Sequence, residues 1–520
     1  MMKNFITILL FSTTAFLTNG AKILGIFPLP GRSHYILGSS LLRELAERGH
    51  DVTMISCFSE KEPPKNGTYR DVVVSGLLEA IQEKQKDKTM NMFDIETSDP
   101  FTTTVFMGFM MPQLMEMILK DKNVQKLINS NEKFDVVIVE QFLNDAQKAL
   151  STHFGAALIT FYPIGANFWI NPLVGNPSPL SYVPDMMLDY TAPMTFFQRL
   201  LNTLLYVFNE LFYNLYMFPQ QNKMLKKHLP NGPDLYDVLY NTSIVLLNSH
   251  SSINQAVPHV PNMIEIGGFH VKPPKKLPND LQEFLDNSKN GVIYFSMGSN
   301  LKSVELPIEK RNAILSTFSK LKQNVLWKWE DDSLPGQPPN VKLSKWLPQQ
   351  DILAHPNIKL FITHGGHLST TETIYHGVPI LAIPIFGDQK LNAITAVNNG
   401  YGLVVPYSQL SEEKLTNTIH EILNNNKYRE NAKLRSRIFH DRLMSPMDTA
   451  IYWVEYVIRH KGAPHLRVAG LDLPWYQYHL LDVIAFIVLI GSCFLFTFYY
   501  FMKIICKKLF FKNRRKLKKQ

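Results

Sequence analysis

The sequence predicts an α/β protein made of two parallel-sheet domains facing each other across a cleft, followed by one C-terminal transmembrane helix. Three observations predict it. Apolar runs of four to six residues alternate with helical stretches in both halves, as buried parallel strands and their crossover helices do. The alternation breaks once, at a Pro/Lys-rich stretch near the middle of the chain. Val483 to Met502 is 20 residues without a charge, about 30 Å of helix, which matches the hydrocarbon thickness of a bilayer. At 520 residues, 45% hydrophobic and 19% charged, the chain is no disordered protein and has material for two cores. Three cysteines exclude a disulfide scaffold.

The elements follow in order. Met1-Met2-Lys3, the apolar run Phe5–Leu10 and the small, polar residues to Gly20 predict a signal peptide over 1–20. The first domain is expected over 21–266. Ile23–Phe27 is its first strand, Pro28–Gly31 a turn, and Tyr35–Arg48 a helix ended by Gly49. Val52–Ser56 completes a βαβ unit. Phe134–Val139 and Ser243–Asn248 are further strands. Eight aromatics between Phe196 and Phe218 read equally well as a buried helical pair or as a greasy surface at a substrate mouth or bilayer. Residues 267–280 have linker composition.

The second domain, 281–445, restarts the pattern with strand Val292–Ser296 and the small-residue turn Met297–Asn300. A helix over 307–321 follows, then strands Asn324–Lys328, Leu360–Thr363 and Ile380–Ile383. Two Rossmann-like halves result, and in such open sheets ligands bind at the carboxyl ends of the strands. Residues 446–482 are expected to form helices returning toward the first domain and the membrane, 483–502 the span, and 503–520 a basic tail.

The formal charge of +9 suggests nucleic acid until its location is noted. Of 53 basic residues, nine lie in 503–520, and the remaining 44 match the 44 acidic residues. A neutral body has no broad basic face for phosphate backbones, which excludes nucleic acid as a partner. Basic residues directly after an apolar span follow the positive-inside pattern, and Trp475, Tyr476 and Tyr478 precede it as an aromatic belt. The expected topology is a lumenal body, one span and a cytosolic tail. Lys516 and Lys518 resemble a dilysine retrieval signal, which points to the endoplasmic reticulum membrane. The sequons at Asn66 and Asn241 are the candidate glycosylation sites. Cys57, the one cysteine of the body, reads as a buried apolar residue.

The chemistry concentrates between Trp346 and Gln389. The run holds Trp346-Leu-Pro-Gln349, then Phe361-Ile-Thr-His364-Gly365-Gly366-His-Leu-Ser369-Thr-Thr-Glu372, then Gly377-Val-Pro379 and Pro384-Ile-Phe-Gly-Asp388-Gln389. This 44-residue pattern resembles the signature of the UDP-glycosyltransferases, inverting enzymes of GT-B fold. The whole chain looks like their animal membrane-bound branch. Ser445-Pro446-Met447-Asp448 and Tyr452–His460 look insect-like.

The resemblance implies a role for each residue, and physical chemistry supports them. Trp346 would stack on uracil, a contact worth about 1–3 kcal/mol, with Gln349 hydrogen-bonding beside it. His364, Gly366, Ser369 and Ser299 would hold the diphosphate at a strand-to-helix turn, where backbone N–H groups converge. Glu372 would accept from the ribose hydroxyls, and Asp388 and Gln389 would bind the sugar. Leu368 departs from the Asn that related families often carry, and is given no role.

His34 matches the family's catalytic base, which takes the acceptor's proton. A carboxylate should fix its tautomer. Asp145 is the favoured candidate, with Glu140 the alternative. The implied reaction is a single in-line displacement to a β-glycoside, with UDP-sugar as co-substrate and no metal or other cofactor. UDP-glucose is the expected donor, with UDP-glucuronate the alternative. The acceptor is expected to be a small lipophilic hydroxyl compound. A homo-oligomer stays open. The rival readings are a silent UDP-sugar or lipophile binder, which should lack His34, and a membrane-anchored lumenal interaction protein.

Overall fold

The computed structural model of the protein describes residues 20–60, 62, 64–80, 93 and 99–517. The expected signal peptide lies outside the described residues apart from Gly20, as do tail residues 518–520. The chain forms two compact units, one running to Arg467 and one from Val468.

The first unit holds both sheets. In the N-terminal sheet the strands are β1 (Lys22–Phe27), β2 (Asp51–Ser56), β3 (Thr68–Val73), β4 (Val136–Glu140), β5 (Ala157–Tyr162), β6 (Ile244–Leu247) and β7 (Met263–Glu265). They lie in the order β3-β2-β1-β4-β5-β6-β7, every pair parallel. The C-terminal sheet has β8 (Val292–Ser296), β9 (Asn324–Lys328), β10 (Val341–Ser344), β11 (Ile358–Thr363), β12 (Ile380–Ala382) and β13 (Gly402–Val404). Its order, β10-β9-β8-β11-β12-β13, is also all parallel. Each sheet reverses its strand order beside its first strand, β1 or β8. Doubly wound folds open their crevice at such a switch point.

The helices that reach the cavity are α1 (Arg32–Glu47), α2 (Pro100–Lys120), α4 (Gln349–Leu353), α5 (His367–His376) and α6 (Gln389–Asn398); α3 (Phe196–Phe212) and α7 (Pro446–Arg459) pack elsewhere on the first unit. α1 buries Leu37, Leu41, Leu42 and Leu45 against β1 and β2, the i, i+4 face its periodicity predicts. The approach is close: a Cβ on Gly25 would lie 2.2 Å from Leu42. α1 begins at Arg32, three residues before the expected Tyr35, so His34 stands in its first turn. β4 runs over Val136–Glu140 rather than the expected Phe134–Val139, and the Asp135 side chain before it accepts from the Lys22 N–H at 2.7 Å.

α7 follows the second sheet yet packs on the first. Ala450, Ile451, Val454 and Val457 are buried in the α1–β1 core, and Arg48 pairs with Asp448 at 2.6 Å. The aromatic stretch takes neither expected form alone. Tyr206, Phe212, Tyr213, Tyr216 and Phe218 pack into or against the first domain's core. The opposite face of α3, with Phe197, Leu200, Leu204 and Leu211, is exposed. In the second unit, helix α8 (Leu481–Leu517) continues beyond the expected span into the basic segment. Its part Leu481–Phe511 is long and apolar enough to cross a membrane.

Candidate active site

A cavity of about 680 Å³ lies between the two sheets of the first unit. Its lining includes ten of the residues expected at the site: His34, Ser299, Trp346, Gln349, His364, Gly366, Ser369, Glu372, Asp388 and Gln389.

His34 reaches the cavity from the first turn of α1. Its Nδ1 is 2.5 Å from Glu140 Oε1, and Glu140 is fully buried at the carboxyl end of β4. Asp145, the partner expected from sequence, is elsewhere. After β4 the chain reverses through Leu143 in the left-handed region (φ 61°), and Asn144 donates to the Glu140 carbonyl at 2.7 Å. This turn places Asp145 below the cleft, where it pairs with the fully buried Lys148 at 3.0 Å and accepts from Gln141. Asp145 therefore neutralises a buried ammonium and does not touch His34. Phe142 packs edge-on to the His34 ring at 5.3 Å, and Trp169 packs on Phe142 at 5.6 Å.

Burial pulls the His34 pKa down, but the Glu140 carboxylate, with Asp388 farther off, more than offsets it and leaves it raised above 6.5. Asp388 comes from the other side of the cleft, at the entrance to α6. Burial raises its pKa, against the opposing pull of His367, Asn392 and His34. Asn392 Nδ2 donates to it at 2.8 Å.

β11 runs into Thr363-His364-Gly365-Gly366 and then α5, a strand-to-helix turn whose Gly366–Ser369 segment lines the cavity. Two glycines enclose the His364 ring. A Cβ on Gly366 would stand 2.4 Å from its Nε2, and one on Gly298 2.5 Å from its Cε1. Gly298 belongs to the turn after β8 that carries Ser299. Burial, helped by the charge of Lys328, lowers the His364 pKa to about 4, so the ring is a neutral donor at physiological pH.

Glu372, on α5, accepts from Gln349 Nε2 at 2.6 Å and from Gln350 Nε2 at 3.2 Å. Gln349 also donates to Ser369 at 3.2 Å. These four polar residues are thus pre-ordered by one another. Trp346 lies just past β10 and is 60% exposed, an open aromatic face rather than a core residue. Gln389 accepts at Oε1 from the Ile385 and Phe386 N–H groups.

Sequence reasoning missed the apolar wall on the first-domain side. Phe106 and Met107 of α2, Phe142, Trp169, Met186 and Met187 line it. They come from three separate loops and a helix, and no local spacing links them. It also missed Lys328, at the end of β9. Cys57 is buried, its Sγ donating to the Pro28 carbonyl, and burial pushes its thiol up to about 12, which suits an apolar residue and not a nucleophile.

Comparison with known proteins agrees with this geometry. The model of the family "UDP-glucoronosyl and UDP-glucosyl transferase" matches residues 22–518. The chain belongs to this family. It is 41% identical over 507 residues to UDP-glycosyltransferase UGT5 of Dactylopius coccus, covering 96% of this chain and 94% of that protein. It is 37% identical to UDP-glucosyltransferase 2 of the same organism, covering 96% and 95%. A solved UDP-glucose:anthocyanidin 3-O-glucosyltransferase in complex with UDP superposes with a TM-score of 0.53 at 16% identity, covering 85% of this chain and 100% of that one. That likeness shows the fold, GT-B. The protein is accordingly a glycosyltransferase of the UDP-sugar-using class.

Proposed function

We propose that the enzyme transfers glucose from UDP-glucose to a small lipophilic hydroxyl compound with inversion, using His34 as general base. The observation that carries the reading is the 2.5 Å contact between His34 Nδ1 and the buried Glu140 carboxylate at the cavity wall. With Nδ1 held by Glu140, Nε2 is the atom that takes the acceptor's hydroxyl proton. The acceptor oxygen attacks the anomeric carbon as its O–H bond breaks. The bond from that carbon to the β-phosphate oxygen breaks, and UDP leaves with the electron pair. Glu140 stabilises the imidazolium that forms. Ser299, the neutral His364 and the first N–H groups of α5 receive the leaving oxygens. The apolar wall of Phe106, Met107 and Trp169 supports a lipophilic acceptor.

Charge supports glucose over glucuronate. Asp388 sits near His34, with Glu140 behind it, so the sugar end carries negative charge that a C6 carboxylate would oppose. Two of the cavity's lysines, Lys272 and Lys275, are joined through their backbones to Gln350 and Asp351, and Lys328 lies 5.9 Å from the Trp346 ring. All three therefore belong to the nucleotide side. The relative named UDP-glucosyltransferase 2 supports the same choice.

The apolar helix α8 supports anchorage, and the exposed apolar faces of α2 and α3 support a second contact with lipid. With the sequence signals at both ends, this reading places the body in the endoplasmic reticulum lumen and the basic tail in the cytosol. Asn66 and Asn241 are exposed, as a glycan acceptor must be. The test of function is His34→Ala, assayed with UDP-glucose and a phenol in microsomes. Turnover should vanish while UDP binding persists; turnover at the wild-type rate would overturn the assignment.

A further inference from the structure

Helix α3 is built inside out. Its buried residues are Asn202, Leu205 and Asn209, on one face of the helix. Phe197, Leu200, Leu204 and Leu211 are exposed on the other. An amphipathic helix of a soluble domain turns its apolar stripe to the core. Here two of the three inward residues are amides, each 1% exposed. Hydrogen bonds, more than apolar area, therefore decide what this face of α3 holds.

The face holds the loop from Leu180 to Leu188. Asn202 Nδ2 donates to the Leu180 and Val183 carbonyls, both at 2.9 Å, and Asn202 Oδ1 accepts from the Asp185 N–H at 2.8 Å. Two turns along, Asn209 Nδ2 donates to Asp185 Oδ2 at 3.4 Å. Asp185 is itself buried, and its Oδ1 accepts from the Met187 N–H at 2.8 Å. The next two residues, Met186 and Met187, belong to the apolar wall of the cavity. Met186 Sδ accepts from Asn167 Nδ2 at 3.0 Å, and Asn167 Oδ1 accepts from the Trp169 N–H at 2.9 Å. Trp169 packs on Phe142, which packs on His34. Methionine side chains are adaptable, so the shape of this wall depends on where the backbone beneath them is fixed.

We propose that Asn202, Asn209 and Asp185 are positioning residues for the acceptor. They fix Met186 and Met187, and through them the size of the lipophilic hydroxyl compound that can reach His34. This rests on the reading of that wall as the acceptor's. The bonds of the clasp all lie within the first domain, so it acts on the acceptor and leaves the donor's binding alone.

The test measures glucose transfer from UDP-glucose to two phenols, one of a single ring and one of three fused rings. The full-length enzyme in microsomes is compared as wild type, N202L, N209A, D185N and M187A. N202L nearly keeps the volume of the side chain and removes its three bonds. It should raise the ratio of kcat/KM for the large phenol over the small one by about 10-fold, the scale of one buried group left unpaired. KM for UDP-glucose should stay at the wild-type value. M187A, which widens the wall directly, should move the ratio the same way. D185N should keep the wild-type ratio: its amide can still accept from Met187, and it can donate to Asn209 Oδ1, which is buried without a partner. The proposal is overturned if N202L or M187A keeps the wild-type ratio, or if D185N shifts it as far as N202L does. It is also overturned if N202L raises KM for UDP-glucose and for both phenols equally, which would make the clasp only a support of the domain. Should N202L not fold, N209A decides by the same ratio. It removes only the 3.4 Å bond and should shift the ratio about threefold; no shift overturns the proposal. If the wild type glucosylates neither phenol, the acceptor reading fails, and the proposal fails with it.

Discussion

Exchanging the charges of Glu140 and Asp145 one at a time should separate catalysis from stability. Glu140→Gln keeps the shape but removes the carboxylate 2.5 Å from His34 Nδ1. Two opposite charges about 4 Å apart at an effective dielectric of about 20 attract by about 4 kcal/mol. Losing that from a transition state with imidazolium character corresponds to about a thousandfold in kcat. Stability should hold or improve, because Glu140 Oε2 is buried with no hydrogen-bond partner, and an amide is less costly to bury than a carboxylate. Asp145→Asn should do the reverse. It strands the fully buried Lys148 ammonium, a loss of about 3–5 kcal/mol, with kcat per folded molecule near wild type. The assay pairs kcat on UDP-glucose and a phenol with thermal unfolding of the same preparations. An Asp145→Asn enzyme as slow as Glu140→Gln but with an unchanged Tm would refute the assignment, as would Glu140→Gln turning over normally.

The pH profile follows from His34. A base works when neutral, so activity falls as pH drops through its pKa, and this limb should lie above 6.5 because Glu140 and Asp388 raise it. In Glu140→Gln the residual kcat/KM should show the limb at lower pH; a limb moved upward would contradict the model. Trp346→Ala should raise KM for UDP-glucose about 10- to 100-fold through lost stacking, with little change in Tm because the ring is 60% exposed; an unchanged KM would remove Trp346 from the donor site. A chain ending at Arg467 should still float with phospholipid vesicles, and Leu204→Glu with Leu211→Glu should abolish flotation without lowering Tm, both side chains being exposed. Absence of flotation by the parent chain would confine membrane contact to α8.

The sequence by itself determined the architecture and which residues of the second sheet line the cavity. Parallel strands buried on both faces read as continuous apolar runs, so β1, β2, β8 and β9 were legible to within a residue. The cluster from Thr363 to Glu372 was legible because β11, its turn and α5 are consecutive, and His364, Gly366, Ser369 and Glu372 line one cavity through local geometry alone. Tertiary structure decided what depends on distant segments meeting. The partner of His34 lies 106 residues away, and whether Glu140 or Asp145 reaches it turned on the left-handed Leu143 and the Asn144 cap, a backbone reversal that spacing does not encode. The charge of His364 is set by burial and by Lys328, a residue on another strand. Lys328 itself reads as an ordinary strand end until the fold lays its ammonium against the Gly298 carbonyl.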